Sequence, residues 1–424
     1  MKVLHVADFL PGTHTRLGGA EFAARRIIDE QAACGIEVEV ATLQLDAKPD
    51  GPLPWRRHHV MRNMDRYAPG LVYAVKQLYF PGDPLARRDL RRIIKDVRPD
   101  FIHFHNLHFS GMSIVHEARA AGVPSAWSVY DYWIFCPSFM LVTNDGQLCT
   151  RGHGDHCVNC IGTRRARALK PVKKLLFSTR KGVFEKYTDV VGQFVVLSNA
   201  SSELLAQHGI DRNRISVVPQ YIWKEAIASP RSTPPVSGRL TYVGWVEYRK
   251  GLHVIVQALG ELAAEFPQLH LEVLGMPANA AYEQQINGMI DAAGIRDRVN
   301  FRGKISRKDL LQALRDAWLV TVPEQWENMS PVILTEAMAA GACVLASRIG
   351  GIRHFVEEKR NGLLAERDNV GEYVQQIRWA IENPEAVHDM GNAARERAQD
   401  VFDPERINTS MQALYSRLIQ AAHS

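Results

Sequence analysis

The stretch "KVLHVADFLPGTHTRLGGAEFAARRIIDEQAACGIEVEVAT", residues 2–42, decides the fold of this 424-residue chain. "KVLHVA" is a short apolar run, "RLGGAE" (16–21) is a glycine-rich turn, and "FAARRIIDEQAACG" (22–35) repeats its apolar residues at helical spacing up to Gly35. "IEVEVAT" then alternates as a strand does. Strand, glycine loop, helix and strand open a doubly wound parallel α/β sheet. The pattern continues through "DFIHFH" (100–105), a helix over 112–122 and "PSAWSVYD" (124–131). After a long insertion come "VGQFVVLS" (191–198), a helix over 200–209 and "RISVVP" (214–219). One domain is therefore complete by about residue 222. Residues 223–238, rich in Pro, Ser and Gly, read as a linker.

A second domain, 239–403, repeats the layout. Its strands "RLTYVGW", "HLEVLG", "VNFRG", "AWLVTVP" and "ACVLAS" alternate with helices over 252–266, 282–294, 306–317 and 331–341. Two such domains in series predict a cleft between the carboxyl ends of two sheets. The amphipathic segment 404–424 is long enough to return to the first domain and complete it.

Composition narrows the function class. With 46% hydrophobic and 23% charged residues the chain is globular, which excludes disorder, collagen and coiled coil. A net charge of +5, from 51 Lys+Arg against 46 Asp+Glu, is too mild to indicate a nucleic-acid partner. No apolar run reaches the length of a membrane span, and Asp8 interrupts the N-terminal one, so the expected location is the cytoplasm, including the inner face of its membrane.

The chemistry concentrates in "VTVPEQWENMSPVILTEAMAAG", residues 320–341. A strand ends at Pro323, a loop carries Glu324 and Glu327, and a helix is expected to start with Ser330 as its N-cap, Pro331 at its first position and Gly341 at its stop. Unpaired N–H groups and roughly half a positive charge then lie beside Met329 and Pro331, which makes an anion seat. In "YVGWVEYRKG" (242–251) a second strand ends at Gly244, and Lys250 opens the following helix, within reach of the same anion. The plainer alternative is a capped helix with solvated glutamates.

Taken together the motifs resemble glycosyltransferase family 4, the retaining GT-B enzymes, over nearly the whole length. The resemblance rests on "GGAE" (18–21), "PDFIHFHN" (99–106), "DYWIFCP" (131–137), "LSN" (197–199), "VGWVEYRKG" (243–251), "EAMAAG" (336–341) and "IGG…NGLL" (349–364), in that order. It implies two Rossmann-like domains and transfer of a sugar from a nucleotide-diphosphate sugar, a UDP- or GDP-sugar. It implies that Lys250 neutralises the diphosphate, that Glu336 holds the ribose, and that Gly18 and Gly19 let backbone approach the donor or acceptor. Three positions depart from the pattern. Glu327 and Glu336 are separated by eight residues where the family has seven, so either the loop bulges or Asn328 takes part of the sugar contact. Trp245 replaces an arginine, for which Arg249 is the nearest substitute. Tyr130, before Asp131, replaces the usual histidine and cannot carry charge at neutral pH. No Asp-x-Asp motif occurs, so no catalytic divalent ion is expected.

Cys136, Cys149, Cys157 and Cys160 fall within an insertion at about 134–162, polar and glycine-rich between them. Such a loop cannot bury a core, and a structural zinc site would supply the folding energy; His153 or His156 can replace one ligand, and free thiols or an iron–sulfur cluster are the alternatives. From Arg164 to Lys186 nine basic residues, among them Arg165, Arg167 and Arg180, face one acid and are interleaved with Leu169, Val172, Leu175, Leu176 and Phe177. This pattern, with Tyr67, Tyr73, Tyr79 and Phe80 upstream, suits an anionic membrane surface and a saccharide or lipid-linked saccharide acceptor; the alternative is that both helices pack on the sheet. His103 and His105 share one strand face, a spacing that serves a metal but is expected here for buried histidines satisfied by backbone. Two other functions stay open: a nucleotide-sugar epimerase of the same fold, and a non-catalytic glycan-binding protein.

Overall fold

The computed structural model describes residues 1–15, 18–45, 47, 55–68, 70–144, 146–161, 170–222, 225–226 and 235–423. Arg164, Arg165, Arg167 and Leu169 of the basic segment, and most of the linker, lie outside these. The chain divides into two compact units, Met1–Tyr221 with Pro404–Ser424, and Ile222–Asp403.

The first unit carries a seven-stranded sheet of β1 (Lys2–Val6), β2 (Glu37–Leu43), β3 (Arg57–Met61), β4 (Phe101–Phe104), β5 (Ser125–Ser128), β6 (Gln193–Val196) and β7 (Ile215–Val217). Their order is β3-β2-β1-β4-β5-β6-β7, with every pairing parallel. The inner strands are almost continuously apolar because helices cover both faces. β3 was not legible in advance: at the edge of the sheet its "RHHVM" buries only its last residue fully, so it carries neither an apolar run nor alternation. The helix Pro404–His423 belongs to this unit, and its Ile407, Met411, Leu414 and Tyr415 pack against Val3 and Phe101.

The second unit is a six-stranded sheet of β8 (Arg239–Val243), β9 (His270–Leu274), β10 (Val299–Gly303), β11 (Leu319–Val322), β12 (Cys343–Ser347) and β13 (Leu363–Ala365). Its order is β10-β9-β8-β11-β12-β13, again parallel throughout. One face is covered by a core that includes Val254, Leu259 and Ile377, the other by one that includes Leu334, Met338 and Ala394.

In each sheet the strand order reverses once, between β1 and β4 in the first and between β8 and β11 in the second. Loops leaving the carboxyl ends of neighbouring strands part there, which opens a crevice for polar groups. Glycine sets one of these crevices: Gly251 has φ +73°, and a Cβ on it would lie 1.7 Å from the Pro323 carbonyl oxygen. Only a residue without a side chain lets the turn after β8 lie against the loop after β11.

Candidate active site

In the second unit the turn Tyr248–Lys250 follows β8, and Lys250 Nζ donates to Glu324 in the loop after β11 at 2.5 Å. Glu324 is buried and also accepts from Trp326 Nε1 at 2.7 Å and Asn328 Nδ2 at 3.1 Å. Gln325 N donates to the Arg249 carbonyl at 2.8 Å, a second tie between turn and loop. Lys250 is thus held against the loop that leads into the helix Val332–Ala339.

That helix starts one residue later than the sequence suggested. Pro331, not Ser330, is the N-cap, with extended backbone at φ −61° and ψ 121°, and no side chain caps the start. Pro331 has a φ a helix would accept but a ψ outside the helical range, which places the boundary after it. Gly341, with φ +77°, follows the C-cap Ala340.

The carboxylates are held separately. Glu327 Oε2 accepts from Gly350 N at 2.7 Å, and Glu336 accepts from Arg307 Nη1 at 2.6 Å. Both are buried. Asn328 turns into its own loop, where Oδ1 accepts from Ser330 N at 3.2 Å. Arg249 lies against Glu247 at 2.8 Å with its guanidinium over the Trp326 ring, while Trp245 is 46% exposed. Met329 and Ser330 are buried in the loop, and Gly244 closes β8 at φ +145°. Arg307, at the start of a helix remote in sequence, gave no signal.

In the first unit a small cavity, about 20 Å³, is lined by His105, Asn106, His108, Tyr130, Asp131 and Trp133, among others. Asp131 Oδ1 accepts from Trp133 N at 2.9 Å, and Oδ2 lies 3.2 Å from His108 Nε2. Burial pulls the His108 imidazole down, but Asp131, Asp8 and Glu21 outweigh it and leave its pKa raised. Asp8 is pushed up to about 6 by burial, against hydrogen bonds from Phe109 N and Ser110 N. Gly18 N donates to Glu21 Oε2 at 2.7 Å, and Glu21 Oε1 accepts from Asn106 Nδ2 at 2.8 Å. Gly18 and Gly19 thus start the helix Gly19–Ala33 with the first amide clamped.

The histidines are indeed buried, but their partners are side chains, not backbone. β1 and β4 pair in a register that sets His5 opposite His103, with His105 one pleat further on. His5 Nδ1 lies 3.0 Å from His105 Nε2, and His105 Nδ1 lies 3.0 Å from the Tyr130 hydroxyl. Burial lowers the pKa of His5 to about 3 and takes those of His103 and His105 well below 6.5. The Tyr130 phenol is pushed up by burial, so the group is neutral.

The cysteines are all free thiols; Cys136 and Cys157 are buried, Cys149 and Cys160 partly so. Burial pushes the Cys157 thiol up to about 11, with Cys136 and Cys149 near enough to add to the rise. Among the described residues the one group of three His, Cys, Asp or Glu side chains with ligand atoms within 4.8 Å of one another is His5, His103 and His105, so no three of the four sulfurs are gathered to ligand distance. His153 is engaged by the Ile134 carbonyl and Arg180, and His156 lies 3.1 Å from the Gly152 carbonyl.

Arg180 corrects the reading of the basic helix. In Lys170–Thr188 it is wholly buried, donating to the carbonyls of Leu78 and Trp133 at 2.9 Å and stacked over Phe184. Burial lowers its pKa to about 9, and three carbonyl acceptors, Gln77 included, satisfy its fork. Val172, Leu175 and Leu176 remain exposed on that helix, as do Tyr67 and Phe80 upstream. Tyr73 does not join them; it stacks on Phe109 at 4.3 Å, and Tyr79 packs against Phe177 at 4.9 Å.

Residues 230–397 match the family described as glycosyl transferases group 1, and residues 18–220 match the glycosyl transferase 4-like domain. A D-inositol 3-phosphate glycosyltransferase of Paenarthrobacter aurescens is 27% identical over 47% of this chain and 51% of its own. A glycogen synthase of Mycobacterium tuberculosis is 29% identical over 50% and 49%. The chain spans about half the length of the curated relatives it matches. Among solved structures, Anabaena Alr3699/HepE in complex with UDP superposes with a TM-score of 0.71 at 17% identity, covering 98% of this chain and 100% of that one. Sucrose-phosphate synthase from Thermosynechococcus elongatus does so with 0.71 at 20% identity over 99% and 100%. Both likenesses support the GT-B fold.

Proposed function

We propose, from the premise that this chain belongs to the glycosyl transferases of group 1, that it moves a sugar from a nucleotide-diphosphate sugar to a saccharide or lipid-linked saccharide acceptor with retention at the anomeric carbon. One observation carries the reading: Lys250 is fixed beside the loop that leads into a helix start no side chain caps. A fixed cation and a helix N-terminus together favour a leaving diphosphate over a sugar still attached. Gly244, Arg249, Met329, Ser330 and Pro331 line the approach to this seat. Glu336, oriented by Arg307, accepts from the ribose hydroxyls, and Glu327, held on Gly350, accepts from the sugar, with Asn328 fixing the loop between them. Tyr130 and Asp131 line a small cavity of the first unit and are read as saccharide contacts there. When the anomeric C–O bond breaks, its electron pair goes to the diphosphate, whose oxygen then takes the acceptor's proton on the same face. That step needs no protein nucleophile and no divalent ion.

UDP is the first nucleotide to test, because the Anabaena neighbour was solved with UDP and with UDP-glucose. In a thermal-shift screen of UDP-, GDP- and ADP-sugars, the right donor at 100 times its Kd stabilises by ~2.7 kcal/mol, and slow release of the nucleoside diphosphate should accompany it. Binding without release points to a glycan-binding protein, and inversion at C2 to an epimerase; no donor bound at all refutes the assignment.

The cysteine insertion, on the same proposal, holds a structural zinc through Cys136, Cys149, Cys157 and Cys160 once the sulfurs draw together. Zinc offsets the cost that burial sets on thiolates and supplies the energy the insertion lacks. Metal analysis of protein made in zinc-supplemented medium should give about one zinc per chain, lost in Cys157→Ser; a folded, metal-free wild type rules it out.

Membrane contact is the third part. No helix among the described residues is long and apolar enough to cross a membrane. The exposed Val172, Leu175 and Leu176, with Lys170, Lys173, Lys174 and Lys181 on the same helix, suit docking on anionic lipid at ~1 kcal/mol per basic residue. The chain should co-sediment with vesicles containing phosphatidylglycerol and not with phosphatidylcholine alone; equal sedimentation with both contradicts this.

A further inference from the structure

The loop after β4 carries an imidazole that the fold does not use up. Asp8 accepts from Phe109 N at 2.6 Å and from Ser110 N at 2.9 Å, while the Phe109 carbonyl accepts from Asn63 Nδ2 at 3.3 Å and from Lys76 Nζ. Lys76 is buried and paired with Asp65 and, at 2.8 Å, with Asp83. The Phe109 ring packs on Tyr73 at 4.3 Å and on Phe9 at 5.0 Å. The loop is therefore fixed at the residue after His108, without the His108 side chain. His108 itself is anchored through one ring nitrogen: Nε2 lies 3.2 Å from Asp131 Oδ2, with the ring edge-on to Trp133 at 4.7 Å. A carboxylate only accepts, so Nε2 carries a proton. Nδ1 pairs with none of the described residues and is not among their sealed polar atoms, so solvent reaches it. The side chain lines the cavity of about 20 Å³ with Asn106, Tyr130 and Asp131, room for one water-sized group.

We propose that His108, seated on Asp131, offers Nδ1–H as a charged donor to a single ligand oxygen in this cavity, and is thereby a specificity-determining residue for a ligand hydroxyl. Three carboxylates act on the ring: Asp131 after β5, Asp8 after β1 and Glu21 in the helix Gly19–Ala33. The Lys76 ammonium behind Phe109 is answered by Asp65 and Asp83. The carboxylates outweigh burial, so the imidazolium persists above the ordinary 6.5. The two protonation states ask for opposite ligands. A neutral ring with its proton on Nε2 turns a bare lone pair to the cavity, whereas the imidazolium turns a donor to it. A hydroxyl oxygen meets that donor and is small enough for the space. A ligand without a hydroxyl at that point leaves the charged donor unmet, and an unmet polar group is what lets one position discriminate between ligands. Binding is strongest below the His108 pKa and is lost as pH rises through it.

That the ligand is a sugar rests on the transfer reading above; the charge on His108 does not. The test is long-range ¹H–¹⁵N correlation of the full chain labelled at histidine nitrogen, with His108 assigned by its loss in His108→Gln and followed from about pH 5 to 9. His108 should titrate above 6.5 and lower in Asp131→Asn. Two probes are then added in turn: the nucleotide sugar that passes the thermal-shift screen, and glucose alone at high concentration. A ligand that binds the charged form favours it, so at least one of them should move the titration upward. Its affinity should fall about tenfold or more as pH passes the titration, the loss of one charged hydrogen bond. His108→Gln, which keeps a neutral N–H, should bind it weakly at every pH. A His108 that titrates at 6.5 or below, a titration that neither probe moves, or a pH dependence of binding unchanged in His108→Gln overturns the proposal. If His108→Gln does not fold, the titration in wild type and Asp131→Asn, with and without the probes, still decides. Glucose moving His108 while no nucleotide sugar is bound or turned over would instead strike the transfer reading and leave this site standing.

Discussion

Lys250→Ala is expected to lower turnover by ~100-fold or more, the loss typical when one preorganised group that meets developing negative charge is removed. The prediction follows from position. Lys250 lies on a turn that Gly251 lets press against Pro323, and its ammonium is held by Glu324 in the loop before the Val332–Ala339 helix. Removing the ammonium also leaves Glu324, buried, with only Trp326 and Asn328 as donors, which costs stability independently of chemistry. The double variant Lys250→Ala/Glu324→Gln separates the two effects, because no uncompensated carboxylate remains. Nucleoside diphosphate release by that variant should stay depressed although its melting temperature recovers. Wild-type release from Lys250→Ala would remove the lysine from the reaction.

The second large effect is on acid stability. His5, with a folded pKa of about 3, and His103 and His105, well below the ordinary 6.5, are neutral in the fold, whereas in the unfolded chain they take up protons below about 6.5. A depressed folded pKa gives stability that is complete above the unfolded value and is lost as pH falls towards the folded one. Between pH 6.5 and 5 the loss is ~2 kcal/mol for His5, at 1.36 kcal/mol per pH unit, and His103 and His105 act in the same direction. Asp8 opposes it: its folded pKa of about 6 lies above the ordinary 3.8, so the folded chain takes that proton first and gains ~1 kcal/mol over the same interval. The net expectation is a fall in stability, read as a denaturant midpoint below its pH 7 value at pH 5. Equal midpoints at the two pH values would mean that the trio is not buried neutral.

Much of the architecture was legible because it is local. The glycine loop of residues 16–21, the apolar strand runs and the helical spacing after them specify parallel α/β units within spans of about thirty residues. Residues 320–341 likewise carry strand, loop and helix start in order, so the order of these elements could be read from the chain alone. Even the error at Ser330 was confined to one residue, because Pro331 itself takes an extended ψ of 121°.

The polar interior was not legible, for a physical reason. Periodicity tells which face of an element is buried, but not which polar atoms meet there. Gln31 finds Tyr415 across 384 residues, and His103 finds the same hydroxyl across 312. Arg180 looked like one more cation on a solvated helix until the carbonyls of Leu78 and Trp133 were seen to receive it. Sequence by itself therefore determined the two parallel α/β units and the cationic turn ahead of the Val332–Ala339 helix, but not the strand order or the absence of a side-chain cap. Only tertiary structure decided which buried polar groups pair, because hydrogen-bond partners are chosen by contacts between distant elements and a buried donor must be satisfied wherever the packing places it.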